Sequence, residues 1–339
     1  MRIISCASYY GTGSSAITDY ISEFDNCSCL THYEFRFIQD PGGISDLEYN
    51  LVENHHRHNS GHALKTYKKI VDFLAGNILI KKYEPFFNNQ WKKISYEYID
   101  NLTDFTQKGY WHQDVIDKGY GFYIRKRLMN KLLQKTIWRG QNERGLNEMP
   151  NEITLYSRPS EEKFLSLTKE YIDKLFIWAN KENKRDVMVD QIVPPSNLNR
   201  YIRYFNNIKI FVVDRDPRDL YILEKYIWKG KVIPTENVEV FCEWYLYTRA
   251  HRKNEIYNND YVMFIQFEDL IYKYDETTKR IKQWLNFNEN NHLLKMKYLD
   301  PSKSIKNTQL WQQISGLERE ITYIENKLAE YLYDYSIIE

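Results

Sequence analysis

The sequence has little cysteine, no long apolar run and almost no net charge. Its four cysteines, Cys6, Cys27, Cys29 and Cys242, are too few and too irregularly placed for a disulfide framework. The Cys27-x-Cys29 pair lacks a second pair at zinc-binding spacing. No apolar stretch approaches the ~20 residues that span a bilayer, and no charged leader with an apolar core opens the sequence. These absences predict a cytoplasmic protein with reduced thiols and no transmembrane segment.

Charge and composition indicate a globular protein without a nucleic-acid partner. The 339 residues carry a formal net charge of +1, so no overall field recruits nucleic acid and no nucleic-acid partner is expected. With 42% hydrophobic and 27% charged residues, the chain is globular and long enough for a large core. The 29 tyrosines and 8 tryptophans suit core packing and also stacking on flat sugar or sterol faces.

A loop of small residues near the start joins a buried-strand pattern at 3–8 to a helical pattern at 16–24. The loop consists of Gly11, Thr12, Gly13, Ser14, Ser15 and Ala16. Its glycines allow a tight turn, and the N–H groups of the new helix favour an anion such as phosphate or sulfate. The loop has neither the lysine of a Walker P-loop nor the third glycine of a dinucleotide fingerprint. The alternative interpretation is a plain strand-to-helix connection.

A second charged segment follows the strand pattern at 208–213. Residues 214–219 read Asp-Arg-Asp-Pro-Arg-Asp. Arg215 suits a phosphate because its planar guanidinium donates two hydrogen bonds and stays charged. Alternatively, the charged residues of this segment only pair with one another.

Strand and helix patterns alternate along the sequence. Strands are predicted at 3–8, 27–33, 187–193, 208–213 and 261–267, and helices include 236–257 and 275–286. This alternation predicts an α/β fold of three layers, with helices on both faces of a central parallel sheet of about five strands. The ends of such strands lie at one edge of the sheet, so the two anion-binding segments can face one ligand.

Four histidines cluster between residues 55 and 62, and two of them, His58 and His62, are four residues apart. That spacing places both on one face of a helix, where two imidazoles can bind a metal. No His-Glu-x-x-His motif accompanies them. We therefore predict no metal site.

Together these segments resemble the sulfotransferase family that uses 3′-phosphoadenosine 5′-phosphosulfate, especially its bacterial and carbohydrate-type members. Residues 11–16 resemble the family's 5′-phosphosulfate loop, and residues 213–219 resemble its 3′-phosphate motif. The sequence Phe-Glu-Asp-Leu at 267–270 and the loop at 300–311 also resemble family members. The resemblance covers residues 1–80 and 185–315 and implies the family's P-loop-NTPase-like fold.

The resemblance also implies how the donor is held. Residues 11–16 would hold its 5′-phosphosulfate, and Arg215 would hold its 3′-phosphate. Ser304, Lys306 and Asn307, in the loop near the C-terminus, would assist Arg215.

Two positions depart from the family pattern. Gly11 stands where many relatives carry lysine or arginine, and Arg36 is expected to supply the missing cation. Leu223 stands where cytosolic members have a serine, for which the loop at 304–307 is expected to compensate.

The resemblance implies two candidates for the base that accepts the acceptor's proton. Glu34 follows the second strand, where glycan sulfotransferases have a catalytic glutamate. Cytosolic members use a histidine, for which His58 is the candidate. We favour Glu34, and the alternative for it is a structural ion pair with Arg36.

One domain is predicted over residues 1–339, with a mostly helical, acceptor-side insertion over 81–185. Residues 81–150 hold 13 Lys or Arg against 8 Asp or Glu and many aromatic residues. A solvated insertion and an acceptor-binding cap both fit this composition.

The predicted function is transfer of sulfate to a hydroxyl of a glycan, glycolipid or sterol-like lipid, which leaves 3′-phosphoadenosine 5′-phosphate and requires no metal. An inactive nucleotide-binding protein of the same fold and a nucleotide-dependent kinase are the alternatives.

Overall fold

The computed structural model describes residues 1–108, 113–141, 144 and 153–338. Its contacts divide the chain into two compact units. The sheet unit comprises Met1–Asp40 and Ile172–Glu339, and the inserted unit comprises Pro41–Tyr171. The inserted unit thus has other bounds than the insertion expected at 81–185, and its role toward an acceptor stays a prediction. Among the described residues, no helix combines the length and apolar character needed to cross a bilayer.

Seven strands occur in the described residues. In chain order they are β1 (Arg2–Ser8), β2 (Cys27–Glu34), β3 (Phe105–Lys108), β4 (Ile153–Tyr156), β5 (Asp186–Asp190), β6 (Ile208–Asp214) and β7 (Val262–Gln266). Five of them form one sheet in the order β2-β5-β1-β6-β7, and every neighbouring pair is parallel. The prediction of a central parallel sheet of five strands is confirmed.

Helices occupy most of the connections. They are α1 (Ser14–Ser22), α2 (Ile44–Glu48), α3 (Asn59–Ala75), α4 (Trp91–Leu102), α5 (Gln113–Lys135), α6 (Glu161–Ala179), α7 (Leu198–Ile202), α8 (Pro217–Ile222), α9 (Val238–Thr248), α10 (Asp269–Tyr272), α11 (Tyr274–Leu285), α12 (Pro301–Ser304) and α13 (Glu318–Lys327). Wider helical turns continue α2 over Tyr49–Glu53 and α8 over Leu223–Trp228.

Both faces of the sheet are buried. Phe211 and Val213 of β6 pack in a cluster with α1 and α11, represented by Ile17 and Ile281. The alternate residues of β6 point to the other face, and they are also excluded from solvent. A sheet covered on both faces by helices is the three-layer arrangement expected from its apolar strand sequences.

Two predicted elements end earlier than expected. The strand predicted to run to residue 193 ends at Asp190, because Gln191 has a positive φ of 55° that strand geometry does not allow. The helix predicted at 236–257 ends at Thr248, where Arg249 leaves helical geometry and its guanidinium donates to the Asp214 carboxylate at 2.6 Å and 3.1 Å. At the second boundary the partner, Asp214, is distant along the chain.

The inserted unit has its own core, in which buried tyrosines pack together. The Tyr98 and Tyr171 rings stack with centroids 4.4 Å apart, and the Tyr171 hydroxyl lies 3.0 Å from that of Tyr67 and 2.7 Å from Ser95 Oγ. The strands β3 and β4 form an antiparallel pair in the same unit. Tyrosines therefore serve packing here, and the hydroxyls of Tyr67, Tyr98 and Tyr171 are hydrogen-bonded.

Candidate functional site

A cleft of about 450 Å³ lies in the sheet unit, at the edge where β1, β5 and β6 end. Predicted site residues line it from two segments: Gly11, Gly13, Ser14 and Ser15 from the loop after β1, and Arg215 from the segment after β6. Glu34, Arg36 and Asn307 line it as well. The structure therefore brings the two predicted anion-binding segments into one cleft.

The loop after β1 has an unusual backbone. Tyr10, Gly11 and Gly13 have positive φ values of 64°, 66° and 101°. The Thr12 side chain is fully buried, and its Oγ1 donates to the Val213 carbonyl at 2.6 Å, which ties the loop to the end of β6. In a turn where left-handed residues alternate with others, as from Gly11 to Gly13, successive backbone N–H groups can point to one side and form an anion-binding concavity.

Glycine is required at two of these positions for a second reason, which is space. A Cβ on Gly11 would lie 2.6 Å from the Trp228 ring, and a Cβ on Gly13 would lie 2.6 Å from the Phe267 ring. Neither distance is compatible with a side chain. Any residue with a Cβ would therefore have to displace an aromatic ring that lines the cleft.

Helix α1 begins at Ser14, directly behind this turn. The first N–H groups of an α-helix have no carbonyl partner within the helix, and the helix dipole places partial positive charge there. Ser14 Oγ donates to Asp190 Oδ2 at 3.2 Å, which fixes the hydroxyl at the mouth of the helix. The start of α1 and the turn together have the groups of an uncharged anion site.

Asp190 lies at the end of β5, beneath this anion site. It pairs in register with Cys6 of β1 and with Glu34 of β2, and its Oδ1 is buried with no hydrogen-bond partner. Burial, reinforced by the charge of Glu34, raises the pKa of Asp190 to about 7. A carboxyl group that is partly neutral near pH 7 reduces the repulsion of an anion bound above it.

Arg215 is 3% exposed, and the part of its side chain that reaches solvent does so in the cleft. One guanidinium nitrogen donates to the Asn307 carbonyl, and the guanidinium lies 4.3 Å from the centre of the Phe267 ring. Its Nε is buried and has no partner. Within the described part of the chain, no carboxylate lies within 4.0 Å of this guanidinium. Burial lowers the pKa of Arg215, and Glu268 acts against that effect.

The other arginine of this segment is differently placed. Arg218 donates to both oxygens of Asp216, at 3.0 Å and 2.7 Å, and to Glu325 at 2.8 Å. The alternative interpretation of mutual pairing is thus correct for Arg218 and not for Arg215. Of the two, Arg215 retains unused hydrogen-bonding capacity for an anion.

The carboxyl groups of Glu268 and Asp219 lie near Arg215, beyond the distance of an ion pair. Burial raises the pKa of Glu268 to about 8, although Arg215 lowers it, and one Glu268 oxygen accepts from the Asp216 N–H at 3.0 Å. Burial also raises the pKa of Asp219 to about 6, and that carboxylate accepts from the N–H groups of Gln309 and Leu310. Asp219 thereby fastens the C-terminal loop to α8 beside Arg215.

Glu34 and Arg36 form the third wall of the cleft. Arg36 Nη1 lies 3.6 Å from Glu34 Oε2, and Arg36 Nε donates to Asp40 at 2.8 Å. Arg36 also donates to the Tyr10 hydroxyl at 3.4 Å, so it is connected to the turn after β1. The Glu34 side chain is 52% exposed, which leaves its carboxylate accessible from the cleft.

Some predicted site residues do not line the cleft. Thr12 and Ala16 are buried under the turn, and Ser304 and Lys306 lie on the C-terminal loop outside the lining. That loop reaches Arg215 through the backbone carbonyl of Asn307 instead. His58 precedes α3 in the inserted unit.

Sequence reasoning gave no role to three residues of this site. Asp190 lies under the turn, and the Gln191 side chain bridges to Ser8, with its Oε1 accepting from the Ser8 N–H at 3.3 Å. Glu268 lies behind Arg215. The available signal was the position of polar residues directly after buried strands, where α/β proteins place ligands.

Within the residues that the structure describes, no three His, Cys, Asp or Glu side chains are grouped to hold a metal ion. No protein-family model matches the chain, and no curated protein is significantly similar to it in sequence.

Among solved structures, the chain is similar to the sulfotransferase domain of the Synechococcus PCC 7002 olefin synthase. The identity is 12% and the TM-score 0.44, over 98% of this chain and 94% of that one. It is similar to the sulfotransferase domain from the curacin biosynthetic pathway, at 13% identity and a TM-score of 0.43, over 98% of both chains. It is also similar to sulfotransferase STF1 of Mycobacterium tuberculosis H37Rv, at 9% identity and a TM-score of 0.33, over 97% of this chain and 77% of that one. Because these identities and TM-scores are low, the assignment of a function rests on the chemistry of the cleft.

Proposed function

We propose that the protein is a sulfotransferase that moves the sulfuryl group of 3′-phosphoadenosine 5′-phosphosulfate to a hydroxyl of a glycan, glycolipid or sterol-like lipid. One observation carries the proposal: the turn in front of α1 and Arg215, whose Nε has no hydrogen-bond partner, line the same cleft. A donor with anionic groups at both ends needs two anion sites at one sheet edge. The cleft volume of about 450 Å³ suits a nucleotide, since ligand pockets measure ~300–1,000 Å³.

The two anion sites have separate roles in donor binding. Gly11, Gly13, Ser14 and Ser15 hold the 5′-phosphosulfate through backbone N–H groups and the Ser15 hydroxyl, while the Ser14 hydroxyl donates to Asp190. Arg215 holds the 3′-phosphate through its unused hydrogen-bonding capacity, assisted by the loop at 304–307. Arg36 supplies the positive charge that is absent at Gly11.

The transfer is an in-line displacement at sulfur. The acceptor oxygen forms a bond to sulfur while the bond from sulfur to the bridging 5′-phosphate oxygen breaks and leaves its electron pair on that oxygen. The N–H groups at the start of α1 and the Arg36 guanidinium stabilise this developing negative charge. Because phosphate is a good leaving group, no metal ion is needed for its departure.

The acceptor's proton passes to Glu34 in this scheme. Glu34 lines the cleft at the end of β2, and its partly exposed carboxylate can reach an acceptor hydroxyl. His58 remains the second candidate for the base, and it belongs to the inserted unit.

A second candidate function is nucleotide binding without turnover. The ion pair between Glu34 and Arg36, with 3.6 Å between its nearest atoms, favours it. In that case Glu34 is a structural partner of Arg36, and the cleft holds a nucleotide without a base.

The proposal is tested by supplying the sulfur-labelled donor with glycan, glycolipid and sterol mixtures and measuring labelled product. We expect transfer by the wild type and a decrease of about 100-fold or more for Glu34→Gln, since general bases contribute about 10²–10⁴-fold. Donor affinity of Glu34→Gln should stay within about threefold of wild type, because the substitution keeps size and hydrogen bonding. His58→Gln is the matched variant for the second candidate base.

The outcomes separate the two candidates. Binding of 3′-phosphoadenosine 5′-phosphate without transfer to any acceptor class would favour the nucleotide-binding protein. Failure to bind either nucleotide would refute the use of this donor altogether.

A further inference from the structure

One segment of the inserted unit is strongly basic and has no role in the transfer reaction. Residues 118–141 contain four lysines and three arginines and no aspartate or glutamate. Most of this segment lies in α5, whose helical geometry is interrupted at Gly119 (φ 75°) and continues to Lys135. A helix with this charge excess attracts anionic partners.

Helix α5 exposes apolar side chains to solvent and buries two polar ones. Ile124, Leu128 and Leu132 recur every four residues and are 54%, 62% and 57% exposed. Lys126 and Asn130, on the opposite face of the same helix, are only 5% and 8% exposed. Because residues four apart share a helix face, the three apolar side chains form one stripe directed at solvent. Contiguous exposed apolar side chains of this kind mark an interaction surface.

The charges next to the stripe identify its partner. An α-helix turns by about 100° per residue, which places Arg125 on one side of the stripe and Arg127 on the other. Lys131 and Lys135 add positive charge near the C-terminal end of the helix. An apolar stripe bordered by cations complements a membrane surface, where acyl chains lie beneath anionic head groups. A second copy of the chain fits less well, because a symmetric contact would place two equally basic helices against each other.

A second surface of the same unit has the same chemistry. The turn after α3 exposes Ile78, Leu79 and Ile80 at 96%, 91% and 62%, and Lys81 and Lys82 follow directly. Apolar side chains at a loop tip followed by lysines suit insertion between lipid head groups. The two surfaces thus support one kind of partner.

We propose that the inserted unit binds the surface of membranes that contain anionic lipids, through the stripe of α5 and its flanking arginines and lysines. The proposal does not depend on the sulfotransferase assignment, and its test needs no donor. A membrane-bound chain would favour a lipid-borne acceptor over a free glycan.

The test is co-sedimentation of the full-length protein with vesicles of phosphatidylcholine alone and of equal parts phosphatidylcholine and phosphatidylserine. We expect binding to the mixed vesicles and little to the neutral ones. Leu128→Glu combined with Leu132→Glu should weaken binding by about tenfold or more, because apolar area is lost and negative charge is added. Neutralising Lys131 as Lys131→Gln should weaken it by about fivefold, the effect expected for one cation at such a surface.

The control is Ile177→Glu combined with Ile256→Glu, which changes the charge equally at exposed positions of the sheet unit, 64% and 87% exposed. It should bind as the wild type does. Equal binding to both vesicle types, or equal loss in the control, overturns the proposal. Light scattering that shows a dimer in the wild type and a monomer in the Leu128 and Leu132 variant would assign the stripe to self-association instead.

Discussion

The turn after β1 and the segment after β6 line the same cleft, but they offer an anion different groups. The turn offers backbone N–H groups held by left-handed residues and carries no formal charge. The segment offers one buried guanidinium, that of Arg215, without a carboxylate partner among the described residues. A site made of backbone depends on conformation, whereas a site made of one side chain depends on that residue's identity. The backbone site should therefore be sensitive to substitutions that change its conformation, and the Arg215 site to any change of the arginine side chain.

Each of these sites also has a buried carboxyl group behind it. Asp190 lies under the turn and Glu268 lies behind Arg215, and burial raises their pKa values to about 7 and about 8. The two groups differ in what they face. Asp190 hydrogen-bonds a hydroxyl of the uncharged site, whereas Glu268 lies close to a cation that stabilises its ionised form. Protonation of Asp190 should therefore change anion binding more than protonation of Glu268 does.

The largest effect is expected from Arg215→Ala. Its affinity for 3′-phosphoadenosine 5′-phosphate should fall by about 3 kcal/mol, which is more than about 100-fold, because charge-assisted hydrogen bonds to the phosphate are lost. Arg215→Lys should recover only part of the loss, since lysine lacks the planar fork. Isothermal titration calorimetry measures both.

Arg218→Ala is the matched control for Arg215. Arg218 is already paired with Asp216 and Glu325, so its removal should lower the stability of the fold by about 3 kcal/mol. Nucleotide affinity of the folded variant should change by less than about threefold. If instead Arg218→Ala loses affinity and Arg215→Ala keeps it, the second anion site is misassigned.

Gly13→Ala tests the backbone site. A side chain there must adopt a φ of 101° and displace the Phe267 ring, so we expect a loss of about 2 kcal/mol in the free energy of unfolding. Gly316→Ala is the matched control, because Gly316 has a φ of 85° and open space around it. Its loss should be about 1 kcal/mol, the backbone part alone. Equal losses in urea denaturation would show that the Phe267 ring imposes no constraint.

The smallest effect is a pH dependence set by Asp190. A carboxyl group is neutral below its pKa and negative above it, so nucleotide affinity should decrease as the pH rises through about 7. One pH unit above that value, the decrease should be about tenfold at most, equivalent to about 1.4 kcal/mol. Asp190→Asn cannot ionise and should keep its affinity over the same range. An unchanged pH profile in Asp190→Asn would assign the dependence to another group, such as Glu268.

The sequence was sufficient for features that depend on local pattern. The apolar runs predicted all five strands of the sheet, and small residues in residues 11–16 predicted a turn at the start of α1. Arg215 was identified by its type and by its place after a buried strand. These are properties of short segments, and the structure shows each segment at the expected place.

Features that depend on distant contacts were not accessible. The contact between the Asn307 carbonyl and Arg215 could not be predicted, because a backbone carbonyl is the same in every residue. The burial of Asp190 arises because β5 lies between β2 and β1, a neighbourhood that the chain order does not reveal. The raised pKa of Asp190 is therefore a property of the assembled sheet.

The place of β1 in the sheet has a consequence for biosynthesis. Strand β1 is hydrogen-bonded on one side to β5 and on the other to β6, which follow it by roughly two hundred residues. During translation it cannot reach its final position until those later strands have left the ribosome, and pairings so distant along the chain form slowly. In a nascent chain the apolar first strand must therefore wait unpaired, where it is a natural target for chaperones, and the cleft forms only late in synthesis.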